Sequence, residues 1–357
     1  SETDAPIRNE LTQYFRKYKR QKLTNKIYPE FLETVNTFAL SRPYNTLQSR
    51  SSIITHMDRK DTKLFFFDAL GVEFLAFILA KCEEYGMIAE ISIGRCELPS
   101  ITEKNKEFLQ FYTDENWCKI DDLDDLKHGD QVYNYEKCTL PLHVFKELEV
   151  IDRELRKIQS QMLQGTLNRA LIVADHGASR LAVLYGHEIP AKLTLDESGE
   201  HSGRCCKAEQ DPKILHAAYE DGYSILSDYE RFKGGRKANV EVHGGASLEE
   251  VLVPIIMLSK KPDNLEICFT DSKIELIPRE TPEIVLYFNV PMQKPRLSIN
   301  ENFYNGEFVG DKKHAKFKLS EIKRRGIYTA NIYDGEKNLS VALEFELVKK
   351  TKEQNLF

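Results

Sequence analysis

Apolar and polar positions alternate in three different ways along the chain. Residues 1–60 read as helical. A basic run of Arg16, Lys17, Lys19, Arg20, Lys22 and Lys26, whose plain reading is a solvated helix face, precedes an apolar helix around Phe31, Leu32, Val35 and Phe38. Residues 61–260 alternate short apolar runs with helical spacing, the signature of an α/β layer fold. The runs 63–67, 88–93 and 171–174 predict strands, and 249–257 is a Val-, Leu- and Ile-rich run containing Pro254. Phe74, Leu75, Ile78, Leu79 and Cys82 mark a helix after the first strand. Val144, Leu148, Ile151, Leu155 and Ile158, at 4,3,4,3 spacing, mark an amphipathic helix over 143–158. Pro262 and Asp263 make a break. Beyond it, about seven β-rich runs (265–270, 274–277, 283–290, 296–299, 315–319, 327–333 and 340–348) predict a small antiparallel β-sandwich, with Asn305-Gly306 and Asp334-Gly335 as turns. The organisation expected is a helical segment at 1–60, an α/β domain at 61–261 and a β-sandwich at 262–357.

Composition removes several classes. With 41% hydrophobic and 30% charged residues the chain is ordinarily globular, not disordered or collagenous. Its longest apolar stretch, 70–82, is interrupted by Glu73 and Lys81 and is too short to span a bilayer, so no membrane partner is expected. The start, Ser-Glu-Thr-Asp, has no basic and apolar leader, and the missing initiator Met reads as a fragment of something longer. Seven cysteines, an odd number with no CxxC, argue against a disulfide framework or a thiolate zinc site and favour a reducing cytoplasm. A net charge of −6 argues against a protein built mainly to bind polyanions.

Four motifs carry chemistry. In FFFDALG (65–71), Asp68 follows a buried strand, at the sheet edge where α/β proteins place ligands. In LPSIT (98–102), Ser100 and Thr102 precede a helix expected from Glu103, and either hydroxyl is a nucleophile if a metal lowers its pKa. In LIVADHG (171–177), Asp175 and His176 end a hydrophobic strand and form a pair of metal-ligand types. In VHGGASLEEVLVP (242–254), His243 precedes two glycines that permit close backbone approach.

Taken in order, these residues resemble the alkaline phosphatase superfamily, and HGGASLEE followed by Val253-Pro254 resembles the closing motif of its PglZ branch, found in BREX phage-defence systems. The resemblance covers roughly residues 60–260. It implies a doubly wound α/β sheet and two divalent metals, zinc by family habit with manganese or magnesium as alternatives. It also implies a covalent step on a hydroxyl. Pro99-Ser100-Ile101-Thr102 is similar to the Pro-Thr-x-Thr of diester-cleaving relatives, which favours Thr102. Asp68, Thr102, Asp175 and His176 would then surround one metal. The second would take His243 with an Asp and a His. Asp124 and His128 fit the family's Asp-x-x-x-His spacing, and Asp130 with His143 is the rival pair.

Two basic loops are candidates for holding phosphate: HSGRCCK, with His201 and Arg204, and RFKGGRK, with Lys233 and Arg236. The reading is a metal-dependent phosphohydrolase, a phosphodiesterase or nuclease acting on nucleic acid or a nucleotide. Its partners would be other BREX proteins and its setting a bacterial cytoplasm. The alternatives are an inactive scaffold that binds those proteins, or a phosphomonoesterase. No Cys/Ser-x-Pro-x-Arg motif occurs near 98–104, which removes a sulfatase.

Overall fold

The computed structural model describes residues 5–128, 140–189, 199–261, 265–278, 280–310 and 312–349. The chain divides into two compact units. The first is Ser1–Lys81 with Ile91–Met257, and the second is Cys82–Glu90 with Leu258–Phe357. The helical N-terminal residues therefore fall within the larger unit.

In chain order the first part consists of α1 (Ala5–Thr24), α2 (Pro29–Ser41), α3 (Arg50–His56), β1 (Thr62–Phe67), α4 (Leu75–Glu84), β2 (Met87–Arg95), β3 (Trp117–Ile120), α5 (Asp122–His128), α6 (Leu142–Leu163), β4 (Arg169–Ala174) and α7 (Arg180–Tyr185). Then follow β5 (Cys205–Lys207), β6 (Ala217–Glu220), β7 (Tyr223–Leu226), α8 (Leu248–Val251) and β8 (Leu252–Lys260). The central sheet has the order β2-β8-β4-β1-β3. β1 pairs in parallel with both β4 and β3, with Phe67 opposite Ala174 and Ile120. β1, β4 and β8 are almost continuously apolar because both faces of these strands are covered. Residues two apart share a face, so Leu64 and Phe66, Leu171 and Val173, and Ile255 and Met257 meet in one core with Phe108 and Ile54.

α6 buries Val144, Ile151, Leu155 and Ile158 as its spacing predicts, and it adds His143 and Glu147 to the same face. The helix expected from Glu103 is instead a single 3₁₀ turn, Thr102–Lys104. The buried Asn105 side chain donates to the carbonyls of Glu97, Pro99 and Ile101, and this offers the backbone a partner that competes with a helix. β5, β7 and β6 form a small separate antiparallel sheet.

The second unit contains β9 (Ile267–Phe269), β10 (Lys273–Leu276), β11 (Glu283–Phe288), β12 (Pro295–Ile299), β13 (Asn302–Phe308), β14 (His314–Lys318), β15 (Gly326–Asp334) and β16 (Lys337–Lys349). They make one eight-stranded curled sheet, ordered β10-β16-β15-β12-β13-β14-β11-β9, in place of a two-sheet sandwich of about seven strands. It is not wholly antiparallel, because β10 runs parallel to β16. The additional strand is β13. Asn305-Gly306 lies inside it, and the hairpin turns at Asn300 and Glu301, both at positive φ (48° and 68°). The turn therefore lies five residues before the Asn-Gly pair. Among the described residues no helix is long and apolar enough to cross a membrane.

Candidate metal centre

The parallel register decides the first half of the site. Because Phe67 pairs with Ala174, Asp68 and Asp175 leave neighbouring strands side by side at the carboxyl edge of the sheet. Asp175 Oδ1 accepts from the backbone N–H of Ala69 (3.1 Å) and His176 (2.8 Å), which leaves Oδ2 for the site. Thr102 Oγ1 donates to that Oδ2 at 2.7 Å and lies 3.4 Å from His176 Nε2. His176 Nδ1 donates to the Gly177 carbonyl at 3.0 Å, so its lone pair sits on Nε2. Nε2 is 3.3 Å from Asp175 Oδ2 and 3.8 Å from Asp68 Oδ1. Gly177 is required by close approach, because a Cβ there would stand 2.0 Å from the Glu249 carbonyl oxygen.

Ser100 and Thr102 separate clearly. Ser100 is buried, donates to the Gly245 carbonyl (2.7 Å) and accepts from Gly244 N–H (2.9 Å), so its hydroxyl fastens one loop to another. Only the Thr102 hydroxyl faces Asp175 and His176.

The second half is built on α5, where Asp124 and His128 lie one turn apart on one face. His128 Nε2 is 3.2 Å from Asp124 Oδ1 and 3.0 Å from His243 Nε2. His243 Nδ1 donates to the Ser100 carbonyl at 3.1 Å, so its Nε2 lone pair faces the same point. The His243 and His176 rings stack at 4.1 Å and 14°, which joins the two halves. Gly244 (φ 101°) carries the loop past His201, where a Cβ would come within 2.6 Å of the His201 Cβ. His201 thereby packs at 5.2 Å from the His243 ring.

Asp68, Asp175 and His176 form one group of potential ligand atoms, and Asp124, His128 and His243 a second, each within 4.8 Å. The donor sets suit a metal ion. Both mix carboxylate and imidazole, and Asp68 Oδ1 is buried with no hydrogen-bond partner. Two of the imidazoles are already oriented through Nδ1, the arrangement that fixes a metal-ligating histidine.

Residues 265–350 match a domain of unknown function, DUF7862. That match lies in the second unit and contains none of these residues. No curated protein matches the chain.

Charge crowding marks the site. Burial and then the Asp175 carboxylate push Asp68 up to about 6, against the pull of His176 and Lys119. Burial works against the Asp124 carboxylate too, but the hydrogen bond with His128 and the charge of His243 hold it low. Burial and the neighbouring His176 drive His243 well down. The His128–Asp124 hydrogen bond raises His128.

Other predicted residues fall elsewhere. His143 lies in a third, wholly buried group with Glu147 and Glu241, and Asp130 is outside the described residues. Arg204 does not grip phosphate. It is buried, pairs with both Glu250 oxygens (3.1 and 2.9 Å) and donates to the carbonyls of Leu226, Asp228 and Glu230, so it is a strut under the Gly244–Gly245 loop. Lys233 and Arg236 are exposed on the neighbouring loop.

Three residues were missed. Lys119, at the end of β3, places Nζ 2.6 Å from Asp68 Oδ2 and also contacts Asp121. Arg50 donates to the Ala174 and Asp175 carbonyls, and Asn105 joins Arg50 (3.1 Å) to the Thr102 loop. A strand-end lysine was the available signal for the first. Nothing in the sequence marks the other two.

Proposed function

We propose that this chain is a metal-dependent phosphohydrolase of the alkaline phosphatase superfamily, PglZ branch, that cleaves a phosphodiester in a nucleic acid or nucleotide. The observation that supports this best is the 2.7 Å bond from Thr102 Oγ1 to Asp175 Oδ2, in a hydroxyl flanked by two carboxylate–imidazole groups that share a stacked histidine pair. The parallel run of β1, β3 and β4 beneath the site fits that superfamily's doubly wound sheet. Two divalent cations, zinc or alternatively manganese or magnesium, held by Asp68, Asp175 and His176 and by Asp124, His128 and His243, would supply Lewis acidity to the phosphoryl oxygens and acidify the threonine hydroxyl.

The chain's own residues do the rest. The Thr102 proton already points at an acceptor. Oγ1 forms a bond to phosphorus as the bond to the leaving alcohol oxygen breaks; the hydroxyl proton passes to Asp175, and the leaving oxygen takes a proton from solvent. Water then cleaves the phosphothreonine, and Oγ1 regains a proton. Arg50 and Asn105 hold the two reacting loops together. Other BREX components, in a bacterial cytoplasm, are the partners that the resemblance implies.

The test is metal content by elemental analysis of protein purified without chelator, together with hydrolysis of bis(p-nitrophenyl) phosphate and p-nitrophenyl phosphate. About two equivalents of metal and faster diester cleavage are expected. Thr102→Ala should lose on the order of a thousandfold or more in kcat, with metal retained, and Asp175→Ala should lose both metal and turnover. Faster cleavage of the monoester would move the assignment to a phosphomonoesterase. No metal and no cleavage, even after reconstitution, would leave a binding scaffold.

A further inference from the structure

The third group, His143, Glu147 and Glu241, is the most deeply buried of the three, at 0% exposure for each residue. It has the composition of a metal site, yet two lysines already sit in it. Lys22 Nζ lies 2.6 Å from Glu241 Oε1, 3.4 Å from Glu147 Oε2 and 3.1 Å from Glu73 Oε1. Lys127 Nζ lies 2.6 Å from Glu147 Oε1 and 3.8 Å from Glu241 Oε2. His143 Nε2 is 3.2 Å from Glu241 Oε1. Both ammonium groups are buried, at 3% and 1% side-chain exposure.

We propose that Lys22 and Lys127 are the resident cations of this cluster, in place of a metal, and that the cluster positions the Asp124, His128 and His243 group. This rests on the two-metal reading above. The argument is one of chain adjacency. Lys127 directly precedes His128 on α5, and Glu241 stands two residues before His243. Glu147, on the long helix α6, bonds Lys127 and meets Lys22, which in turn bonds Glu241. The two segments that bring ligands to the second group are thus tied to one rigid helix through buried charges. These segments need such a tie. Among the described residues α5 spans only seven, and 240–243 has no helix or ladder of its own beyond the Ser179–Val242 bridge. Buried carboxylates tolerate little displacement from their cations, because an uncompensated charge in the interior is costly. A divalent ion added to this cluster would meet two ammonium groups within ion-pair range of the same oxygens. The lysines are therefore positioning residues and touch no substrate.

The experiment is a calorimetric zinc titration of the full chain: wild type, Lys127→Met, Lys22→Met, and Ile255→Ala as a core variant matched in melting temperature. Wild type should take up about two equivalents. Each lysine variant should keep one tight equivalent while the other weakens by roughly 10–100-fold, and Ile255→Ala should keep both. Either lysine variant suffices if the other does not fold. Lysine variants that bind both equivalents like wild type would overturn the proposal. So would Ile255→Ala losing the same equivalent, since lowered stability alone would then explain the effect. An additional equivalent gained on removing a lysine would make the cluster a metal site and overturn the resident-cation assignment. Failure of the underlying reading looks different: wild type itself would take up no zinc.

Discussion

Arg50 reaches the site from α3 without touching the side chain of any candidate ligand. Its guanidinium donates to two carbonyls at the end of β4, to Asn105, and in two-pronged fashion to Glu107 (2.7 Å to each oxygen). Burial pushes the Glu107 carboxyl up, but the Arg50 charge and hydrogen bonds outweigh it and hold Glu107 below its ordinary 4.5. A carboxyl lowered on folding stabilises the native state above its unfolded pKa, and that contribution is lost as pH falls through the folded value. Wild type should therefore exceed Glu107→Gln in urea midpoint at pH 7, with the gap closing below about pH 4.5. A gap that is unchanged at pH 3 would exclude the charge as its origin. At this scale the sequence was legible where chemistry is local. Asp68 and the Asp175-His176 pair each follow an apolar run, Thr102 and His243 sit in short Pro- and Gly-marked motifs, and the structure gathers all five. Asp124 and His128 were legible through their spacing. Arg204 was misread because its partner, Glu250, lies 46 residues away and no charge count shows such a pair. Arg50 and Asn105 work through backbone carbonyls, which carry no sequence signature.

α1 shows how a composition-based reading of an element fails. Arg16, Lys17, Arg20 and Lys26 are exposed, as a solvated basic face requires, but Lys22 in the same run is buried. Tyr14, Tyr18 and Lys22 recur at four-residue steps, which puts them on one side of the helix. Tyr14 OH donates to Glu249 Oε2 (2.7 Å), Tyr18 OH accepts from Arg180 N–H (3.1 Å), and Lys22 enters the ionic cluster. A tyrosine-lysine stripe carries too little aliphatic character to register as a core face, and its polar heads are satisfied only by distant loops. Tyr18→Phe leaves the Arg180 N–H and the Ala178 carbonyl without this partner. It should cost about 1–3 kcal/mol and lower Tm by roughly 2–10 °C, measured by thermal denaturation followed by circular dichroism. An unchanged Tm would mean that the hydroxyl is dispensable. β13 is the opposite case. Its Asn-Gly pair is a strong hairpin signal in isolation, and pairing with both β12 and β14 overrides it.

On the scale of the whole molecule, the second unit is discontinuous. Its core cluster includes Ile88, at 1% exposure, from a segment 170 residues upstream of Leu258. Lys261 N–H also bonds the Gly86 carbonyl at 2.8 Å. The break at Pro262, readable in the sequence, therefore does not mark where this unit begins, because periodicity cannot show a strand lent from elsewhere in the chain. A fragment of residues 262–357 should melt below one in which residues 82–90 are fused ahead of 258–357. The expected deficit is about 2–3 kcal/mol for the missing isoleucine alone, and equal melting temperatures would refute it.

The contact between Tyr14 and Glu249 closes a separation of 235 positions. A ribosome adding about 5–20 residues per second makes α1 on the order of 10–50 s before its partner emerges. Throughout that interval the helix carries a lysine with no carboxylate to meet and two tyrosines with no loops to hold. His243 emerges almost as late. A chain that stops between Asp175 and His243 thus carries Thr102, Asp175, Asp124 and His128 but never the histidine that completes the second group. The chemistry proposed here is withheld from every copy that stops short of His243, and only a chain grown past that point can be armed.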